Sequence, residues 1–114
     1  SYHKEVLLRF LKDIHKQNKR VVGYGASHST TTLLHHFEIS KFIDHIVDDN
    51  SIKHNLYSPG DHKKVYPTSS LNVNTPDYIL ILAWQHQESI INRCQDFIDR
   101  GVKLILPLPE FKII

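Results

Sequence analysis

Gly23 and Gly25 follow the apolar pair Val21-Val22 and lead straight into Ala26, Ser27, His28, Ser29, Thr30 and Thr31. Glycine admits backbone angles that other residues avoid and lets a ligand approach the main chain closely. Hydroxyl side chains at a helix start add donors to the unpaired N–H groups and partial positive charge found there. Together these residue types suit a phosphate or diphosphate. The dinucleotide pattern G-x-G-x-x-G is incomplete here. His28 stands where its third glycine, the one that permits close helix–strand packing, belongs.

Two further groups follow apolar runs in the same way. Asp48, Asp49 and Asn50 come after Ile46-Val47, at about the distance expected of a ribose-binding acid. Trp84, Gln85 and His86 come after the run at residues 78–83. In an open α/β sheet, ligands bind beyond the carboxyl ends of the strands, so these three groups belong to one candidate site. No catalytic residue is assigned. Ser27, in Gly-Ala-Ser-His-Ser, lacks the second glycine that a G-x-S-x-G nucleophile turn needs. No metal ligand is assigned either: the nine histidines include no H-x-H or H-x-x-x-H pair. His35 and His36 are adjacent, so on a helix they point about 100° apart. Of the nine, His28 and His86 are the two at strand ends. Cys94 sits within a helical pattern and reads as a buried, inert thiol.

The elements that must position these groups alternate along the chain. Val6, Leu7, Phe10, Leu11 and Ile14 have helical spacing, which predicts an amphipathic helix over residues 2–18. Residues 19–25 supply a short buried strand ending in glycines, and a second helix begins near Ser27 or Ser29, with Leu33, Leu34 and Phe37 as its apolar side. A second strand is expected around Ile43, Ile46 and Val47, stopped by residues 48–50. Residues 51–67 read as a loop with a Pro59-Gly60 turn and one short extended piece at most. A helical turn is expected near residues 68–72. Residues 78–83 are continuously apolar, as befits a strand covered on both faces. A helix over residues 85–101 is closed by Gly101. The last strand, residues 102–109, is ended by two prolines. This alternation predicts right-handed crossovers: a small Rossmann-like, three-layer α/β domain with a mostly parallel sheet of about four strands.

Composition sets the outer bounds. The chain has 114 residues, 40% of them apolar and 23% charged, which suits a single compact domain over residues 1–114. A net charge of +2 offers no clustered basic footprint for nucleic acid. No apolar run approaches the roughly 20 residues of a membrane span. No signal peptide is visible, so the expected location is the cytoplasm. One cysteine rules out an internal disulfide and a multi-cysteine zinc site. The absence of methionine, even at position 1, is expected of a domain cut from a longer chain.

Read in order, GYGAS followed by TLL, then VDDN, YSPG, PDYILILAW and PLPE, the sequence resembles the C-terminal domain of the sugar C-methyltransferase family. That resemblance covers roughly residues 20–110. It implies a full-length enzyme that methylates a nucleotide-linked deoxysugar from S-adenosylmethionine, in surface-polysaccharide biosynthesis. It also implies a zinc-binding region and a central methyltransferase domain upstream, which hold the cofactors and the catalytic base. No cofactor is then expected in these residues. The domain's expected partners are a nucleotide-linked sugar and the upstream domain of the same chain. On this resemblance residues 23–32 match the family's glycine-alanine loop and residues 48–50 its acidic turn. Tyr57, Pro59 and Gly60 match its tyrosine and proline-glycine turn, and Trp84 its tryptophan after the third strand. The chain departs from many relatives at residues 28–32, where hydroxyls and a histidine replace a lysine-bearing loop. Two rivals stand beside this reading: a free-standing Rossmann-like nucleotide-binding or regulatory module, and a purely structural dimerisation domain.

Overall fold

The computed structural model describes residues 2–26, 33, 38–54, 56 and 63–114. The chain opens with α1 (Tyr2–Lys16), followed by β1 (Val21–Tyr24), β2 (Ile46–Asp48) and β3 (Val65–Pro67). The short helix α2 (Ser70–Val73) leads to β4 (Tyr78–Ile81), α3 (Gln87–Arg93), α4 (Gln95–Asp99), β5 (Lys103–Leu106) and β6 (Lys112–Ile113). The helix expected after β1 and the Pro59-Gly60 turn fall on residues outside the described ones, except for the buried Leu33.

Leu7, Leu11 and Ile14 recur at i, i+4 and i+7, and these three are the buried positions of α1. The helix stops two residues before the expected end. Asn18 takes a φ of 60°, its N–H donates to His15 O (3.0 Å), and the next N–H, of Lys19, donates to Ile14 O (3.1 Å). This is the left-handed turn that closes many helices, with asparagine in the usual glycine position. Gly101, at φ 99°, closes α4 in the same way: its own N–H reaches Ile98 O and that of Val102 reaches Phe97 O, both at 3.0 Å.

The sheet runs β3-β2-β1-β4-β5-β6. Its first five strands are parallel, and β6 returns antiparallel on β5. Six strands therefore replace the four expected. β3 lies in the stretch read as loop, and of its three residues only Val65 is fully buried; β6 spans two residues beyond the prolines. Period-2 alternation sorts the strand residues between two cores. Val21, Ile46, Val65, Leu80, Leu82 and Ile105 face the α1 side, whereas Val22, Val47, Ile79, Ile81, Leu104 and Leu106 face α3 and α4. Both faces are covered, so β4 carries no polar position. The single helix expected at 85–101 is instead a 3₁₀ turn (Trp84–His86), α3 and α4. The break falls at Cys94, whose N–H is shared between Ile90 O and Ile91 O, a local tightening of the helical ladder.

Candidate functional site

Strand order reverses between β1 and β4, because β2 and β3 lie on one side of β1 and β4 and β5 on the other. The crevice beyond the carboxyl ends of those two strands is where such sheets take ligands. Here the crossing is tight. The N–H groups of Leu82 and Ala83 both reach Tyr24 O, at 2.9 and 3.2 Å. Gly25 has a φ of 107°, and a Cβ built on it would lie 2.4 Å from the Ala83 Cβ and 3.0 Å from the Ala83 nitrogen. A side chain fits neither the conformation nor the space, so glycine is required twice over. At Gly23 a Cβ would meet Leu82 Cδ1 at 2.5 Å, so a side chain there forces the tip of Leu82 to move.

Asp48 ends β2 beside this loop. Its Oδ2 accepts from the Ala26 N–H at 2.7 Å and its Oδ1 from the Asn50 N–H at 2.7 Å. Asn50 caps the following 3₁₀ turn (Ser51–Lys53) by accepting from the Ile52 N–H at 3.1 Å. That turn delivers two side chains back to the loop. Lys53 Nζ donates to Ala26 O and lies 4.0 Å from Asp48 Oδ2, and His54 Nε2 lies 2.7 Å from Asp48 O. Asp49 serves a different function. The Tyr24 hydroxyl donates to both of its oxygens, at 2.9 and 2.8 Å, and Arg93 of α3 pairs with the same carboxylate. Arg93 is held in turn by Ser89 Oγ at 2.7 Å. Burial, and then the bond to Asp49, push the Tyr24 hydroxyl well above its ordinary value. Burial pushes the neighbouring Cys94 thiol up to about 11, with the Asp49 charge adding and Arg93 opposing.

The site residues read from sequence are thus distributed as follows. Gly23, Gly25, Ala26, Asp48, Asp49, Asn50 and Trp84 all lie at or just past the carboxyl ends of β1, β2 and β4, on one edge of the sheet. Ser27, His28, Ser29, Thr30, Thr31 and Tyr57 lie outside the described residues. Four participants went unread: Tyr24, Lys53, His54 and Arg93. Only Lys53 and His54 carried a local signal, lying within six residues of Asp48. Arg93 lies 44 residues from the carboxylate it pairs with. Among the described residues no group of three or more His, Cys, Asp or Glu is placed to hold a metal ion, and no helix is long and apolar enough to cross a membrane.

A doubly wound sheet with a tight glycine crossing at its switch point defines a Rossmann-like α/β domain. Residues 1–109 match the C-methyltransferase C-terminal domain, and the chain belongs to that family. It is 32% identical over 101 residues to the C-methyltransferase NovU of Streptomyces niveus, a match covering 84% of this chain and 23% of NovU. The chain therefore spans under a quarter of the length of that curated relative. Among solved structures it is similar to UDP-D-quinovosamine 4-dehydrogenase from Vibrio fischeri, with a TM-score of 0.57 over 84% of this chain and 93% of that one. The sequences are 17% identical, so the likeness is one of fold.

Proposed function

We propose that this domain holds the substrate of a C-methyltransferase, a nucleotide-linked sugar, while the chemistry takes place elsewhere in the full-length enzyme. The observation that carries the reading is the glycine crossing at the switch point, where Ala83 packs directly on Gly25 and holds the loop after β1 against the end of β4. The carboxyl edge beside that crossing is where sheets of this kind take ligands. Membership of a C-methyltransferase family supports the methyl-transfer context, and the Vibrio fischeri UDP-D-quinovosamine 4-dehydrogenase has a similar fold.

In this reading Gly23, Gly25 and Ala26, with Ser27, His28, Ser29, Thr30 and Thr31, form the diphosphate side of the site. Tyr57 and Trp84 flank it. Asp48, Asp49 and Asn50 border it with their side chains already engaged by the protein. S-adenosylmethionine and zinc belong to the upstream part of a longer, cytoplasmic enzyme of polysaccharide biosynthesis. The test is an NMR titration of the chain with UDP-glucose, dTDP-glucose and S-adenosylmethionine. Either nucleotide sugar should shift the Gly25 and Ala83 amides with a dissociation constant in the millimolar range, about 4 kcal/mol. S-adenosylmethionine should shift nothing. Micromolar cofactor binding would overturn the reading. So would nucleotide-sugar shifts confined to the recess of about 270 Å³ at the opposite edge, lined by Lys19, Arg100 and Lys103.

A further inference from the structure

The end of β2 grips the main chain after β1 at three successive polar groups. The Gly25 N–H donates to Val47 O at 2.8 Å, and the Ala26 N–H donates to Asp48 Oδ2 at 2.7 Å. The Ala26 carbonyl accepts from Lys53 Nζ. Ala26 is thus held at its N–H by a carboxylate and at its C=O by an ammonium, and those two charged groups lie 4.0 Å apart. Hydrogen bonds with an ionised partner are about twice as strong as neutral ones. The other Asp48 oxygen accepts from the Asn50 N–H at 2.7 Å, and Asn50 caps the 3₁₀ turn that delivers Lys53. One carboxylate therefore sets both the loop and the turn that carries its partner. His54 adds a further tie, its Nε2–H donating to Asp48 O at 2.7 Å. An acid at the end of the second strand of a dinucleotide-binding unit ordinarily accepts from ribose hydroxyls. Here each oxygen of that acid already accepts from a main-chain N–H, and the side chain is 13% exposed.

We propose that Asp48 and Lys53 are positioning residues: they clamp the Ala26 peptide from both ends and fix the main chain at the Gly25 crossing in the form that receives a diphosphate, and Asp48 makes no ribose contact. The inference rests on the reading under Proposed function. One substitution separates the clamp from both direct roles by the sign of its effect. Removing a carboxylate beside a bound diphosphate favours the anion by charge alone. Asp48→Asn also exchanges one accepting oxygen for an NH₂ donor, which cannot take the N–H of Ala26 or of Asn50. With the clamp, anion binding weakens; with charge alone, it tightens; with a ribose contact, only a ligand that carries ribose is affected.

Pyrophosphate, which has no ribose, and UDP-glucose are titrated in parallel while the Ala83 amide is followed by NMR. Both ligands should shift it in the unmodified chain. Asp48→Asn should weaken the two by the same factor, about fivefold to tenfold. Lys53→Met should do likewise, and Lys53→Arg, which keeps a charged donor for the Ala26 carbonyl, should restore both affinities to within about threefold. The Lys53 side chain is 36% exposed, so its variants test the clamp even if Asp48→Asn fails to fold, and thermal melts identify the folded ones. Unchanged or tighter pyrophosphate binding in a folded Asp48→Asn chain overturns the clamp, as does unchanged binding in Lys53→Met. A loss confined to UDP-glucose, or a shift by UDP-glucose without one by pyrophosphate, overturns the clamp and leaves the nucleotide-sugar reading standing. No response of Ala83 to either ligand in the unmodified chain overturns both.

Discussion

Replacing Gly25 by alanine should be among the most damaging single-atom additions in this chain, and its cost can be built from two separate sources. A residue other than glycine at φ 107° stores about 1–3 kcal/mol of backbone strain. The added Cβ also meets the Ala83 Cβ at 2.4 Å and its nitrogen at 3.0 Å, backbone-anchored atoms that cannot swing aside. Overpacking of that kind costs about 1–3 kcal/mol more. The total is about 2–6 kcal/mol, against a stability of about 5–15 kcal/mol for a domain of ordinary size. Gly101 supplies the control within the same molecule. Its φ is 99°, yet a Cβ there meets nothing within 4 Å, so Gly101→Ala should carry the strain without the clash. Equilibrium unfolding in urea measures both. With an m-value of about 2 kcal/mol/M, the clash alone separates the two midpoints by roughly 0.5–1.5 M. Equal midpoints for the two variants would refute the steric argument, and with it the claim that the two strand ends are locked together at Gly25.

Four further substitutions have expected outcomes of their own. Tyr24→Phe removes a hydroxyl bonded to a half-exposed carboxylate and should cost about 1–2 kcal/mol. Arg93→Gln should cost less than about 1 kcal/mol because solvent screens that pair, and a double-mutant cycle in urea should show the two effects coupled through Asp49. At high pH the unfolded Cys94 thiol ionises near 9 and the folded one near 11, so the unfolded state releases its proton first. The stabilisation is whole below pH 9 and is lost by pH 11, about 2–3 kcal/mol, with Tyr24 adding in the same direction; Cys94→Ala should flatten the first part of that decline. At low pH the sign reverses. Burial lowers the His45 pKa, with the Arg20 charge contributing and Asp44 opposing. The stabilisation is whole above about pH 6.5 and falls with further acidification, and His45→Gln should remove that acid-side loss in pH-dependent melts.

The parts of the fold legible in the sequence are those whose physics is local. β4 could be read because a strand covered on both faces is apolar at every position, and α1 because its buried residues keep a helical period. Gly25 could be read as a special backbone position, though not the identity of the atom it avoids, which comes from a residue 58 positions later. β3 escaped notice because three residues with one buried side chain cannot display an alternation, and β6 because two residues carry no period at all. Ile43 has the apolar character of a strand residue without being one. It is buried in the α1-side core, but it follows a 3₁₀ turn (Ser40–Phe42) and β2 starts only at Ile46. The acidic turn was legible as an unusual cluster and illegible as a brace, since its partners Tyr24 and Arg93 lie 25 and 44 residues away.

The switch point is also tied at its far end. The Arg20 N–H donates to Asp77 Oδ2 at 2.8 Å, and the N–H groups of Asp77 and Tyr78 return to Arg20 O at 3.1 and 3.0 Å. The Arg20 guanidinium spreads further, to Asp44 Oδ2 at 2.8 Å and Asn74 Oδ1 at 3.1 Å. The halves of the sheet that meet at β1 and β4 are therefore fastened both where their strands begin and where they end. A hinge needs one free end, and this seam has none. Were a ligand taken at this edge, little of its binding free energy would go into closing the seam.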